Sequence, residues 1–384
     1  MEAYLDNSAT TRCLDEARDK MIEVLSKDYG NPSSLHMKGV SAEDYLKEAR
    51  HTIAKSLNVN DKEIFFTSGG SESNNLAIRG TAESRKRYGN KIITTSIEHA
   101  SVKEPMRYLE GLGFEIVYLD VDENGIVNLD TLKKEMDNNT ILVSIMHVNN
   151  EIGSVSPLKE IGEIVKEKNN KCYFHVDAIQ SYGKFKIRPK ELNIDMLSVS
   201  GHKINGPKGS GFLYVRDGVN IMPLIFGGGQ EKGMRSGTEN VPAIAGLSVA
   251  ASYYDKNLIK DREKLFSLKK RFIDKVLQLD GTHINGKYDE ESAPHIVSVT
   301  FDKVRAEVLL HALEDKGIYV SSGSACSSNH PSKSNTLYAI GLRGDKLDQT
   351  IRFSFSIFNT NEEVDYTIDK LKELLPLLRK FIRK

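Results

Sequence analysis

Ser198-Val199-Ser200-Gly201-His202-Lys203-Ile204-Asn205-Gly206-Pro207-Lys208-Gly209 is the stretch on which the reading of this chain turns. The apolar run over 196–199 reads as a buried strand, and the glycines and proline behind it break the chain into a loop. Lys203 therefore stands at a strand end, beside Ser200 and His202, with a stiff Gly-Pro turn behind it. A Schiff base between a lysine and a carbonyl cofactor needs a desolvated amine held in place, and strand ends of α/β sheets supply such positions. The same lysine would be an ordinary solvated charge if nothing else in the chain built a site around it.

Outward from this stretch, strands and helices alternate. Strands are expected over 63–67, 92–95, 114–119, 141–146, 172–176, 196–199 and 211–215, separated by amphipathic helices. Their near-continuous apolar character predicts an α/β fold with a mainly parallel sheet covered on both faces. After Gly227-Gly228-Gly229 the pattern changes. Helices over 243–254 and 262–279 lead to strands over 296–301, 319–320 and 351–355, with further helices over 306–314 and 362–382. That is a smaller α+β unit. The expected division is a large domain over 15–255, with a small domain made from 1–14 and 256–384.

Composition narrows the class. The chain has 384 residues, 39% hydrophobic and 28% charged, with no net charge. A sizeable core fits, and no basic excess points to direct nucleic-acid binding or to a membrane surface. The N-terminus, Met1-Glu2-Ala3-Tyr4-Leu5-Asp6, lacks the pattern of a signal peptide, and no apolar run is long enough for a membrane span. Cys13, Cys172 and Cys326 are far apart, so neither a disulfide framework nor a resident metal site is expected. A cytoplasmic protein with free thiols follows as the expectation.

Several short constellations sit at predicted strand ends. In Thr67-Ser68-Gly69-Gly70-Ser71-Glu72-Ser73 a strand gives way to a helix through two glycines, which suits a phosphate or an ordinary serine cap. In His175-Val176-Asp177-Ala178-Ile179-Gln180 a carboxylate at a strand end could hold a pyridine nitrogen protonated, or could simply cap a helix; His175 and Asp177 could also pair on a metal. His99 follows a strand and could stack on a ring and move protons. Asn149 and Asn150 could bind a polar ligand or form an Asx turn. Arg235 and Thr238 lie in a glycine-rich loop that could reach an anion. Cys326 lies in Ser321-Ser322-Gly323-Ser324-Ala325-Cys326-Ser327-Ser328, a small polar setting that marks a candidate exposed nucleophile. Arg352 stands in an apolar strand and needs an anionic partner, for which a substrate carboxylate is a candidate.

Together these motifs resemble the NifS/IscS-type cysteine desulfurases, within the class V aminotransferase fold of pyridoxal-phosphate enzymes. The resemblance runs from the Asp6-Asn7-Ser8-Ala9-Thr10-Thr11 arm through Glu98-His99, His147-Val148-Asn149-Asn150-Glu151-Ile152-Gly153 and the Lys203 stretch to Gly323-Ser324-Ala325-Cys326-Ser327 and Arg352-Phe353-Ser354. It implies a type I, aspartate-aminotransferase-like fold and pyridoxal 5'-phosphate bound to Lys203. Asp177 would hold the ring nitrogen, Gln180 the ring oxygen, and His99 would stack on the ring and transfer protons. Gly70, Ser71, Ser200 and His202 would bind the phosphate, joined by Thr238 from the other subunit of a homodimer. Asn150 and Arg352, with Asn7 nearby, would bind the carboxylate of L-cysteine. Cys326 would attack the substrate sulfur, releasing L-alanine and keeping a persulfide, on a loop of about 321–334 expected to be mobile. It could also ligate an iron–sulfur cluster transiently. The implied acceptor is an iron–sulfur scaffold protein or a tRNA-thiolating enzyme. Selenocysteine lysis and transamination are the competing reactions on the same fold, and neither depends on Cys326 as desulfuration does.

Overall fold

The computed structural model describes residues 1–322 and 334–381. Seven strands form the large sheet, in the order Ile64–Thr67, Gly211–Val215, Met196–Ser200, Tyr173–Asp177, Thr140–Met146, Lys91–Thr95, Glu115–Leu119. Gly211–Val215 runs antiparallel to both neighbours, and every other pairing is parallel. All but the edge strand Glu115–Leu119 are buried nearly throughout, which accounts for their apolar runs.

One face packs Phe174, Val176, Leu197 and Val199 against helices Asp15–Ser26, Met37–Leu57 and Leu158–Lys168 and the start of Val241–Val276. The other packs Ile92, Leu142 and Leu213 against helices Gly70–Arg85 and Ala100–Glu110. In register, Met146 lies beside Asp177 and Asp177 beside Ser198. The carboxyl ends of the central strands thus open at one edge of the sheet, where α/β folds place ligands.

A second core gathers around Phe272, Phe301, Phe353 and Phe355. Its four-stranded antiparallel sheet runs Ser321–Ser322, Thr350–Ser354, Ile296–Phe301, Thr282–Asn285, and Ala3–Tyr4 pairs in parallel with Ile318–Tyr319 beside it. The chain's first residues therefore pack with its last third.

The structure departs from the sequence expectations in three elements. Instead of separate helices over 243–254 and 262–279 there is one helix of 36 residues, Val241–Val276. The polar stretch 255–261 contains neither glycine nor proline, so nothing stops the helix there. Residues up to Tyr254 join the first core and those from Leu265 the second. The strand Thr282–Asn285 was not expected, because Thr-His-Ile-Asn carries little β signal. The last helix is Asn361–Leu378, followed by a 3-10 turn, rather than a helix reaching 382.

Candidate active site

A cavity of about 300 Å³ opens at the carboxyl edge of the large sheet. Gly70, Ser71, His99, Asn150, Asp177, Gln180, Ser200, His202, Lys203 and Arg352 all line it, with Ser8, Ala9 and Ser101. A larger cavity, of about 990 Å³, lies along the long helix near Phe266 and Tyr288. Size does not mark the site; convergence of titratable groups at strand ends does.

Gly69, at φ 148°, turns the strand Ile64–Thr67 into the helix Gly70–Arg85. A Cβ on Gly70 would come within 2.2 Å of Ile179 Cδ1, so the helix start must be bare to pack on the turn after Asp177. The amide ends of that first turn, with Ser71, Ser200 and His202 around them, make one end of the cavity an anion site. Burial lowers His202 to about 4, with help from the charges of Lys203 and Lys208, and an anion beside it would raise it again. Arg235, from the glycine-rich loop, binds within this chain: its Nε lies 2.9 Å from Glu72 Oε1, and Glu72 Oε2 accepts from the Ser68 N–H at 2.9 Å. Thr238 is exposed and does not line the cavity of its own chain.

Asp177 ends its strand 4% exposed. Its Oδ1 accepts the Ile179 N–H at 2.9 Å and its Oδ2 the Asn74 amide at 2.8 Å. Burial pushes its carboxyl up, and these donors pull back. A cation placed against it would hold it ionised. The same Asn74 nitrogen donates to Ser101 Oγ at 2.9 Å, and Ser101 Oγ lies 2.9 Å from His99 Nδ1. The Ser101 N–H also donates to Nδ1, at 3.1 Å, so this nitrogen is an acceptor and the neutral ring carries its proton on Nε2. Burial lowers His99, favouring that neutral form.

Lys203 Nζ donates to the carbonyls of Ser8 and Ala9, the latter at 2.7 Å. Thr11 Oγ1 donates to the His202 carbonyl at 2.9 Å and accepts the Asn205 N–H at 2.9 Å, pinning the N-terminal arm over the lysine loop. Asn7 contributes differently from the expectation. Its amide donates to the carbonyls of Tyr4 and Ser354 at 3.0 and 2.9 Å, and it does not line the cavity. Arg352 finds its anionic partner inside the chain, with Nη2 2.7 Å from Asp6 Oδ1, and its Nη1 donates to the Asn150 carbonyl at 2.8 Å. The two asparagines divide their roles: Asn149 Oδ1 accepts the N–H groups of Glu151 and Ile152, an Asx turn, and Asn150 faces the cavity. His175 is a clip between strands, with Ser144 Oγ at 2.8 Å and Ser198 Oγ at 2.9 Å. Among the described residues no cluster of three or more His, Cys, Asp or Glu side chains is placed to hold a metal.

Cys326 and most of its loop lie outside the described residues. The residues flanking that segment are anchored beside the cavity. Ser321 pairs with Arg352, and Ser334 Oγ lies 2.5 Å from Glu151 Oε2, one residue from Asn150. Sequence reasoning missed Asn74 and Ser101. Asn74 carries a faint signal, because it shares a helical stripe with Ala77, Ile78 and Thr81, all buried. A polar side chain on an apolar stripe needs a partner.

The aminotransferase class-V family model matches residues 3–367. A cysteine desulfurase IscS of Methanosarcina thermophila is 44% identical over 376 residues, covering 98% of this chain and 92% of that protein. A putative cysteine desulfurase IscS 1 of Bacillus subtilis is 46% identical over 363 residues, covering 94% and 95%. A solved NifS-like protein superposes with a TM-score of 0.93 at 41% identity, covering 98% of this chain and all of that one. The chain belongs to the aminotransferase class-V family and has its α/β fold. Within that family it stands among the IscS and NifS cysteine desulfurases, and it is an enzyme of that kind.

Proposed function

We propose that this desulfurase holds pyridoxal 5'-phosphate in the cavity, takes L-cysteine there, and moves its sulfur to Cys326 as a persulfide for delivery to an acceptor protein. The observation that carries the reading is the meeting of Lys203, Asp177, His99 and an anion-binding helix start around one small cavity. A phosphorylated pyridine aldehyde fits this donor set. Its phosphate matches the Gly70–Ser71 helix start with Ser200 and His202. Its ring nitrogen matches the buried Asp177, and its aldehyde matches Lys203. When bound, the cofactor supplies the sink for the electron pair left when the substrate loses its α-proton.

The chain's own residues do the rest. Asp177, held by Ile179 and Asn74, favours a protonated ring nitrogen. Gln180 would donate to the ring oxygen. Lys203 would hold the cofactor's aldehyde and would place its amine beside the substrate's α-carbon for proton transfer. His99 would cover the ring and offer its Nε2–H for proton transfer. Asn150 and Arg352 would take the substrate carboxylate; the Arg352 Nε is buried with no partner among the described residues, and Arg352 lines the cavity. The Cys326 thiolate attacks the substrate sulfur: an S–S bond forms and the C–S bond breaks. The carbon fragment keeps the electron pair, gains protons and leaves as L-alanine.

The anchoring of Ser321 and Ser334 beside Arg352 and Glu151 supports this role for the segment between them. The two cores support a division near 255, and the free thiols of Cys13 and Cys172 support a reducing, cytoplasmic setting. The acceptor is read as an iron–sulfur scaffold or a tRNA-thiolating enzyme. The test is Cys326→Ser. The variant should keep the yellow Schiff-base colour and lose sulfide release from L-cysteine with a reductant. Undiminished sulfide release would overturn the nucleophile assignment, and a wild-type protein that stays colourless with added cofactor would overturn the site.

A further inference from the structure

Behind the cavity, a histidine on the turn before the strand Ile296–Phe301 reaches across to the large sheet. His295 is 1% exposed, and its Nε2 lies 3.3 Å from Gln180 Oε1. The other end of the Gln180 amide donates to the Ser8 carbonyl at 3.0 Å. Turning the amide round would set its oxygen against the Ser8 carbonyl, two acceptors face to face, so the carbonyl end belongs toward His295. For that contact to be a hydrogen bond, the ring proton must sit on Nε2. Nδ1 is then a bare acceptor, buried and with no partner among the described residues. An unmet buried acceptor is a cost that a purely structural histidine would be expected to avoid.

The surroundings suit a neutral ring. Burial, and with it the positive charges of Lys184, Lys269, Arg352 and Lys203, keeps its titration well below the usual histidine range. The turn itself is held still. Lys269 Nζ donates to Ser292 Oγ at 2.6 Å and to the Ala293 carbonyl at 2.8 Å, the Ala293 N–H donates to the Gly153 carbonyl at 2.9 Å, and the Phe355 N–H donates to the His295 carbonyl at 2.8 Å.

We propose that His295 is a positioning residue: it occupies the carbonyl of the Gln180 amide so that what Gln180 presents to the cavity is an N–H. The proposal rests on the site reading above, in which that N–H meets the ring oxygen of the cofactor. A donor there draws charge from the ring oxygen and weakens its hold on the Schiff-base proton. Hydrogen bonding at the amide carbonyl also strengthens the N–H as a donor.

The test is a set of variants read by cofactor affinity and by the pH titration of the Schiff-base absorption band. His295→Leu should weaken cofactor binding roughly fivefold, the fold-change of one neutral hydrogen bond, and move the band's titration to higher pH. His295→Gln, whose amide nitrogen falls near the place of Nε2, should restore both. In a Gln180→Leu background, His295→Leu should add nothing to either, because the amide it acts through is gone. Unchanged affinity and titration in His295→Leu would overturn the proposal. So would the same change in the Gln180→Leu background, which would mean that His295 acts by packing alone. The wild-type band judges the site reading separately: a protein that forms no Schiff base at all overturns that reading and this proposal with it.

Discussion

Glu98 has one carboxyl oxygen satisfied and one not. Oε1 accepts from Thr95 Oγ1 at 2.7 Å and from the Met146 N–H at 2.9 Å, while Oε2 is buried with no partner among the described residues. Burial pushes its titration up to about 8. In the unfolded chain it ionises near 4.5. Between those values the folded state holds a proton that the unfolded state has lost, so this group's contribution to stability falls as pH rises through the window. Glu98→Gln cannot ionise and keeps the accepting oxygen. Its urea midpoint should lack that downward slope and lie above the wild type's at the alkaline end. Parallel curves for the two proteins would refute the buried, protonated state. At this scale the residues next to a motif were legible, and those that meet it through space were not. Lys203, Asp177 and His99 each follow a readable strand. Asn74 reaches Asp177 across 103 positions and His295 reaches Gln180 across 115, distances over which no local pattern carries information.

The helix Val241–Val276 is the element that joins the two cores. Its middle, around Lys256, is largely exposed and joins neither core, so its continuity rests mainly on the helix's own hydrogen bonds. Lys256→Pro removes one such bond and sets the ring against the preceding turn, at a cost of about 3 kcal/mol. If the helix transmits stability between the cores, denaturation of this variant should show two transitions when followed by probes in each core. A single coincident transition would mean that the cores are coupled by their other contacts. The strands of the large sheet and its mainly parallel character were readable from buried apolar stretches, but their order in the sheet was not. The short strands Ala3–Tyr4 and Thr282–Asn285 were not, because their place is set by partners far away in sequence.

At the scale of the whole molecule, Thr238 is a predicted site residue that does not line the cavity of its own chain: it is exposed, on a loop tied by Arg235 to Glu72 in the first turn of the helix Gly70–Arg85. If it completes the phosphate site of a second copy, the active unit is a dimer with shared sites. Lys203→Ala alone should be inactive, and Thr238→Ala alone should bind cofactor several-fold more weakly. Unfolding and refolding the two variants together should yield mixed dimers in which one of the two sites is whole, so cofactor affinity returns to the wild-type value in a fraction of sites. No recovery in the mixture would place Thr238 outside the site.

The arm over 1–12 ties distant parts of the chain together at Lys203. Its first strand needs Ile318–Tyr319, Asn7 and Ser8 need Ser354, and only then do the Ser8 and Ala9 carbonyls stand over Lys203. During synthesis the large sheet has all its strands once residue 215 has emerged, yet the lysine pocket lacks its cover until residue 354 follows. The first residues made must therefore wait for nearly the last. Docking of the arm, a contact of very high sequence separation, is expected to be a late event in folding. A nascent chain halted before residue 318 should protect the large sheet from protease while leaving its N-terminal dozen residues open to cleavage.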